Sequence, residues 1–425
     1  MSGATIAILH YAGPPGIGGV EATIAAHIRL LADDGYAVRV VVGAGGSSDG
    51  REDLRVLPRL GSRHPEVEAV SAELRRGAVT PAFHALVETL ADELQTALQG
   101  CSVALVHNVP TLHKNLAFTA ALHRLHMAGR APRLLAWAHD FAWRDPLYLP
   151  ELHSGWPWDL LRTPWPDVQY VAVSQDRRAM LAALLGLPTS AIAVVTPGVD
   201  VARLAKVEPA TWALVEQHRL LEADPLLLLP ARITRRKNIE GALRIVAALR
   251  DAGLRPRLVV TGPPGPHNPA NAAYLDELQR LRTKLDAPVL FLYESFRDDQ
   301  GRPRPVSEAM IADWLSLADG LLFPSRAEGF GMPVIEAALR GVPVFCADIA
   351  PFREIAGDNA WFFDLNAPPA TVAQQIASAL HDDPRYRLRQ HVRAHYTWQA
   401  IYRRTIKPLL DAGPAPAASA TERAR

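Results

Sequence analysis

Cysteine is nearly absent from this chain: 425 residues carry two, Cys101 and Cys346. Both sit in strand-like runs, and there is no Cys-x-x-Cys pair or His/Cys cluster. A disulfide framework and a thiolate zinc site are therefore excluded, and reduced structural cysteines of a cytoplasmic protein are expected. An excess of either charge is lacking too. Lys and Arg total 45 against 44 Asp and Glu, for a formal net charge of +1, so nothing points to nucleic acid as a partner. No apolar run approaches the roughly 20 residues of a membrane span. The densest, Leu226–Leu229, lies between prolines, and peripheral membrane contact stays open. Met1–His10 has no basic residue ahead of its apolar run and reads as a first strand, not a signal peptide. No Asp-x-Asp pair advertises a metal-bridged diphosphate, so no metal ligands are expected.

What the chain does have is alternation. Thr5–His10 and Ala37–Val42 are short apolar runs of strand type, and between them Val20, Ile24, Ile28 and Leu31 recur at helical spacing. Val103–His107, Arg133–Ala138, Val168–Val173 and Ala191–Val195 continue the strands, with a helix at Gln175–Leu185. A polar, irregular connection follows over Val201–Asp224, and the alternation then restarts at Leu226 and runs to Phe363. Such a pattern predicts an α/β chain with two open parallel sheets, each covered by helices. The expected domains are 1–200 and 201–397, with a helix over 398–411 and a disordered tail over 412–425. Pro408 is expected to strain the end of that helix.

The chemistry gathers in Phe323–Gly341. Gly320–Phe323 reads as a buried strand. Gly329 and Gly331 let the backbone turn tightly and approach a ligand, and Pro333 suits the start of a helix. The free amides there form a seat for phosphate. Glu336 is expected in the first turn of the helix and Glu328 just before it, gripping opposite ends of one ligand. Arg232, at a strand end, and Lys237, just before a helix, can neutralise a diphosphate through charge-assisted hydrogen bonds.

Glu328-Gly-Phe-Gly-Met-Pro-Val-Ile-Glu336 resembles the Glu-x7-Glu motif of the family 4 retaining glycosyltransferases. Arg232 and Lys237 resemble that family's Arg-x4-Lys pair. Val173-Ser174, Pro197-Gly198-Val199-Asp200, the run from Asp348 and Tyr396-Thr397-Trp398 follow in family order, so the likeness covers nearly the whole chain. It implies the GT-B fold, two Rossmann-like domains facing across a cleft, with the C-terminal helix packing back toward the first. It implies a hexosyl unit passed from a UDP- or GDP-linked donor to an acceptor hydroxyl, with retention and without metal or cofactor. In that scheme Glu336 accepts hydrogen bonds from the ribose, and Glu328 lies beside the transferred sugar. Amides of Gly329, Phe330, Gly331 and Met332 hold hydroxyls or phosphate oxygens, and Arg232 and Lys237 carry the departing diphosphate.

In the first domain, the glycine-rich stretch Gly13–Glu21 is mis-spaced for a dinucleotide fingerprint, which weighs against a nicotinamide-dependent oxidoreductase. Gly18 and Gly19 resemble instead the family's loop beside the diphosphate or acceptor. His139, at the end of a strand, matches the family histidine near the transferred sugar. Five of the nine tryptophans fall between Trp137 and Trp165, in a proline-broken segment that could receive a saccharide acceptor or simply pack the loop. An epimerase or phosphorylase on the same fold, and a non-catalytic carbohydrate-binding protein, are the alternatives.

Overall fold

A computed structural model describes residues 4–16, 18–48, 50–265 and 270–412. The expected tail falls almost wholly outside them. The chain forms two compact units, one reaching Gly198 and resuming at Trp398, the other Val199–Thr397.

The first unit carries a seven-stranded sheet of β1 (Thr5–His10), β2 (Ala37–Val42), β3 (Asp53–Val56), β4 (Cys101–His107), β5 (Arg133–Ala138), β6 (Gln169–Ala172) and β7 (Ile192–Val194), in the order β3-β2-β1-β4-β5-β6-β7. All neighbours are parallel. Alternate side chains enter different cores: Ala7 and Leu9 pack on one face with Phe83 and Leu90, Ile6 and Ile8 on the other with Ile24 and Ile28. Burial on both faces explains why these strands read as continuous apolar runs. The strand order reverses direction beside β1, where β4 takes up the opposite side, and β1, β4 and β5 end in or just before His10, His107 and His139.

The second unit carries β8 (Leu226–Leu229), β9 (Arg257–Val260), β10 (Val289–Phe291), β11 (Gly320–Phe323), β12 (Val344–Ala347) and β13 (Trp361–Phe363), in the order β10-β9-β8-β11-β12-β13, again all parallel. Two open parallel sheets, with helices between their strands, are the α/β architecture expected from the alternation.

Two expectations need correction. Val201–Asp224 is largely helical, with helices at Val201–Ala205 and Pro209–Gln217. Asp200 caps the first through its carboxylate, and Pro209 occupies the first position of the second, a start signal that needs no strong amphipathic pattern. The last helix is not continuous either. Trp398–Ile401 and Lys407–Asp411 are α-helical, and Tyr402–Ile406 between them is a π-helical turn. A widened turn just ahead of Pro408 accommodates a ring that would clash with the carbonyl one turn back. The segment is held to the first unit by Tyr402, whose hydroxyl donates to Asp34 at 2.9 Å, by the Lys407–Asp34 ion pair at 2.7 Å, and by Arg133, which donates to the carbonyls of Leu409 and Leu410.

Candidate functional site

In the second unit two loops leave adjacent strands, β8 and β11, at the same end of the sheet and are stitched together. The Arg326 amide donates to the Arg236 carbonyl at 2.8 Å, and Asn238 Nδ2 donates to the Pro324 carbonyl at 3.1 Å. Asn238 adopts φ 50°, a left-handed conformation that asparagine tolerates better than most residues, and its side chain is buried. This stitching places Lys237 against Glu328. Their Nζ and Oε1 atoms are 2.5 Å apart, and the side chains are only 13% and 7% exposed. Arg236 reaches the other carboxylate oxygen at 3.0 Å and also donates to the Ala327 carbonyl. Lys237 further lies over the Phe323 ring, 4.9 Å from its centre.

Glu328 is therefore a buried carboxylate bridged by two cations. Taking such a charge out of water is costly unless it is paired and hydrogen-bonded. Arg236, which the sequence suggests only as part of a solvated basic run, completes the pair. Its neighbour Arg235 turns away, to Glu277 at 2.6 Å and onto the Tyr274 ring.

The glycine turn follows directly. Gly331 has φ 121°, and a Cβ there would lie 2.9 Å from Phe352. Gly329 is not in the left-handed region, and a Cβ on it would meet no atom within 4 Å. Tight packing thus requires Gly331, and open space lies over Gly329. Phe330 and Met332 are both about half exposed, at 51% and 53%. The helix runs Met332–Leu339 with Gly331 at its N-cap, so Glu336 stands one turn further in than the first turn expected for it. Its half-buried carboxylate has no protein partner among the described residues, and neither does the exposed guanidinium of Arg232. Of the expected ligand-binding groups, Lys237 is thus engaged by Glu328, while Arg232 and Glu336 are unengaged among the described residues.

The remaining expected residues belong to the first unit. Gly18 is the N-cap of the helix Gly19–Asp33, in extended conformation, and a Cβ on it would collide with the Glu21 carboxylate; one on Gly19 would meet nothing. His139 is buried within a group of four histidines that sequence reasoning did not assemble. Its Nε2 lies 3.1 Å from His107 Nδ1, its amide donates to Asn108 Oδ1 at 2.8 Å, and His10 Nδ1 donates to the His107 carbonyl at 2.8 Å. His27 packs edge-on against Trp137 and Trp398, at 4.6 and 5.7 Å between ring centres. The signal was available in part: His10 and His107 close their strands, and His27 falls on the apolar face of the first helix. Burial pulls the His139 imidazole down to about 4 against the opposing pull of Asp140, and pulls His27 down to about 3. Both rings are therefore neutral at pH 7. Asn108, at φ 60°, uses its side chain to hold both His139 and Asp140. Among the described residues no group of His, Cys, Asp or Glu is arranged to hold a metal ion, and no helix is long and apolar enough to cross a membrane.

Comparison with known proteins bears on both units. The chain is similar to the D-inositol 3-phosphate glycosyltransferase of Streptomyces scabiei, 30% identical over 47% of this chain and 51% of that protein. The like-named enzyme of Thermomonospora curvata is 29% identical over 52% of this chain and 50% of that protein. The serotype-specific mannosyltransferase WbdA of Escherichia coli is 33% identical over 24% of this chain and 10% of that protein. The chain thus spans about half the length, or less, of the curated relatives it matches. Among solved structures, Anabaena HepE in complex with UDP and glucose overlaps 96% of this chain and 100% of that one, at 16% identity and a TM-score of 0.35. The model of Glycosyltransferase Family 4 matches residues 17–203, and that of the glycosyl transferases group 1 matches residues 211–395. With both halves matched in order, the chain belongs to glycosyltransferase family 4.

Proposed function

We propose that this protein transfers a hexosyl unit from a nucleoside diphosphate sugar to an acceptor hydroxyl, retaining the anomeric configuration and using no metal ion or cofactor. The observation that carries the reading is the buried Glu328 held by Lys237 and Arg236 beside an open glycine turn. The arrangement stores cations where a diphosphate can claim them and a carboxylate where positive charge develops on a sugar. In this reading Glu336, without a protein partner among the described residues, accepts hydrogen bonds from ribose hydroxyls. The amides of Gly329 to Met332 supply donors at a helix start, where an anion is favoured.

On donor binding, Lys237 and Arg232 take the diphosphate, and Glu328 passes from its protein partners to the hydroxyls of the sugar. His139, neutral and held by Asn108 and His107, is in this reading the hydrogen-bonding group that the first unit contributes. Curated relatives named as a mannosyltransferase and as D-inositol 3-phosphate glycosyltransferases support glycosyl transfer as the reaction and a hexose as the transferred unit. UDP and GDP are both candidate donors for the site. The test is to incubate the protein with UDP- and GDP-hexoses and a panel of hydroxylated acceptors, in chelator, and to assign the product anomer by NMR. A glycoside with the anomeric configuration of the donor is expected. An inverted product, or turnover only with added divalent metal, would overturn the mechanism.

A further inference from the structure

A cavity of about 950 Å³ opens in the second unit where β9 and β10 begin, at the opposite edge of that sheet from the glycine turn. Its walls are the turn after the helix Pro209–Gln217, the connection from the helix Ile239–Asp251 into β9, and the connection from the helix Ala270–Leu285 into β10. Its size and concavity are those of a small-molecule site. None of the residues assigned to the donor lines it.

Five arginines line it, Arg219, Arg250, Arg255, Arg257 and Arg282, against two carboxylates, Glu222 and Asp286. Three of the five are engaged within the fold. Arg219 pairs with Glu222 at 2.8 Å, and Arg282 with Glu294 at 2.8 Å. Arg250 donates to the Leu285 carbonyl at 2.8 Å and to that of Asp286. It thereby takes up the carbonyl end of a helix, which would otherwise repel an anion. Arg255 and Arg257 are exposed, and neither has a side-chain partner among the described residues. Their backbone is fixed nonetheless. Arg255 exchanges hydrogen bonds of 2.8 and 3.0 Å with Asp224, and Arg257 opens β9. Pro256 between them is buried, and alternate residues of an extended chain point to one side, so the two guanidiniums leave the same face.

A basic run on a surface is usually no more than a solvated face. Here the charge gathers in a concavity, beside Leu254, Pro256 and Leu290, and is not balanced within the protein. His218 in the same lining feels it: its imidazole is held below the ordinary value by burial first and by the Arg257 charge second. Two free guanidiniums beside apolar surface match a phosphate carried on an organic body, since planar forks grip phosphate oxygens through paired hydrogen bonds.

We propose that this cavity binds a phosphorylated small molecule, its phosphate held between Arg255 and Arg257, at a site separate from the donor site. Binding there does not depend on the transferase reading. An organic phosphate ester and inorganic phosphate share the anionic group, but only the ester also covers the apolar lining.

Arginine-directed labelling of the full chain with phenylglyoxal, followed by peptide mass spectrometry, reads the site residue by residue. The probes are phenyl phosphate, inorganic phosphate, benzoate and phenol, with affinities taken from calorimetric titration. Phenyl phosphate is expected to slow the labelling of Arg255 and Arg257 several-fold, and the label on Arg232 reports occupancy of the donor site separately. It is expected to bind about ten-fold or more tightly than benzoate or phenol, and more tightly than inorganic phosphate. Arg255→Ala with Arg257→Ala should abolish that preference, whereas Arg232→Ala should retain it. Absence of protection, equal affinity for benzoate or for inorganic phosphate, or a preference that survives the double substitution would each overturn the proposal. Should the double variant fail to fold, Arg257→Lys keeps the charge but not the fork, and is expected to weaken phenyl phosphate by about three-fold or more; unchanged affinity would likewise overturn it.

Discussion

Replacing Glu328 with Gln separates the structural role of this carboxylate from its proposed chemical one. The substitution keeps the side-chain shape and one acceptor oxygen but removes the charge that Lys237 and Arg236 share, at 2.5 and 3.0 Å. Each charge-assisted hydrogen bond is worth about 1.5–3 kcal/mol. Relief of the cost of burying a carboxylate offsets part of the loss of two such bonds, and the residual amide oxygen offsets another part. A net destabilisation of about 2 kcal/mol follows, which for a unit of this size lowers the melting midpoint by about 4–8 °C. Ligand binding should move the other way. Freed of their internal counter-ion, Lys237 and Arg236 present full charge to a diphosphate, so the variant should bind the nucleoside diphosphate as tightly as wild type or up to about ten-fold more tightly, a gain of ~1.4 kcal/mol, while transfer collapses. Thermal unfolding, nucleotide titration and turnover on the same preparation read all three. Loss of nucleotide affinity in step with the melting midpoint would refute the reasoning, because it would make Glu328 a scaffold for the site and not a competitor for its cations.

Two further outcomes follow from named geometry. Gly331→Ala should destabilise the second unit by about 1–3 kcal/mol, because it combines a left-handed φ with a Cβ crowding Phe352. Gly329→Ala meets open space, so it should leave the melting midpoint within about 1–2 °C of wild type yet weaken donor binding; equal effects of the two on stability would show that the turn is shaped for packing alone. The neutral histidines of the first unit predict a pH dependence. Their folded values, about 4 for His139 and about 3 for His27, lie below the ordinary 6.5, so the unfolded chain takes up protons that the folded chain refuses. Stability is then full above pH 6.5 and is lost as pH falls toward 4, by about 2 kcal/mol per group at pH 5. Urea unfolding at pH 7.5 and 5 should show this loss, and His27→Leu should reduce it; a variant with the wild-type pH slope would refute the assignment to His27.

Much of the fold was legible because parallel strands buried on both faces leave uninterrupted apolar runs. Thr5–His10, Ala37–Val42, Arg133–Ala138 and Gly320–Phe323 are all recovered to the residue. β3 was not, since Asp-Leu-Arg-Val at the sheet edge has neither the run nor the burial. The helix Pro81–Ala97, capped by Thr80 and opened by Pro81, also lies outside the expected alternation. At the candidate site the sequence motifs gave the residues without their present partners. Lys237 and Glu328 are 91 positions apart, and only the adjacency of β8 and β11 brings their loops together. Arg236 was invisible for the same reason: one arginine in a run of three basic residues looks like its neighbours until the chain is folded. The histidine group likewise needs the strand order, because β1, β4 and β5 become neighbours only in the sheet.

The most direct test of the donor site in the second unit is a thermal-shift and calorimetric screen of UDP, GDP, ADP and their sugars against wild type and Glu336→Ala. Glu336 makes no side-chain bond among the described residues, so its removal should not disturb the fold. One nucleotide series should stabilise the wild type, with affinity falling about ten-fold or more in the variant, as expected for lost hydrogen bonds to a charged acceptor of about 1.5–3 kcal/mol. Binding that is indifferent to Glu336, or no binding by any nucleotide, would contradict the account.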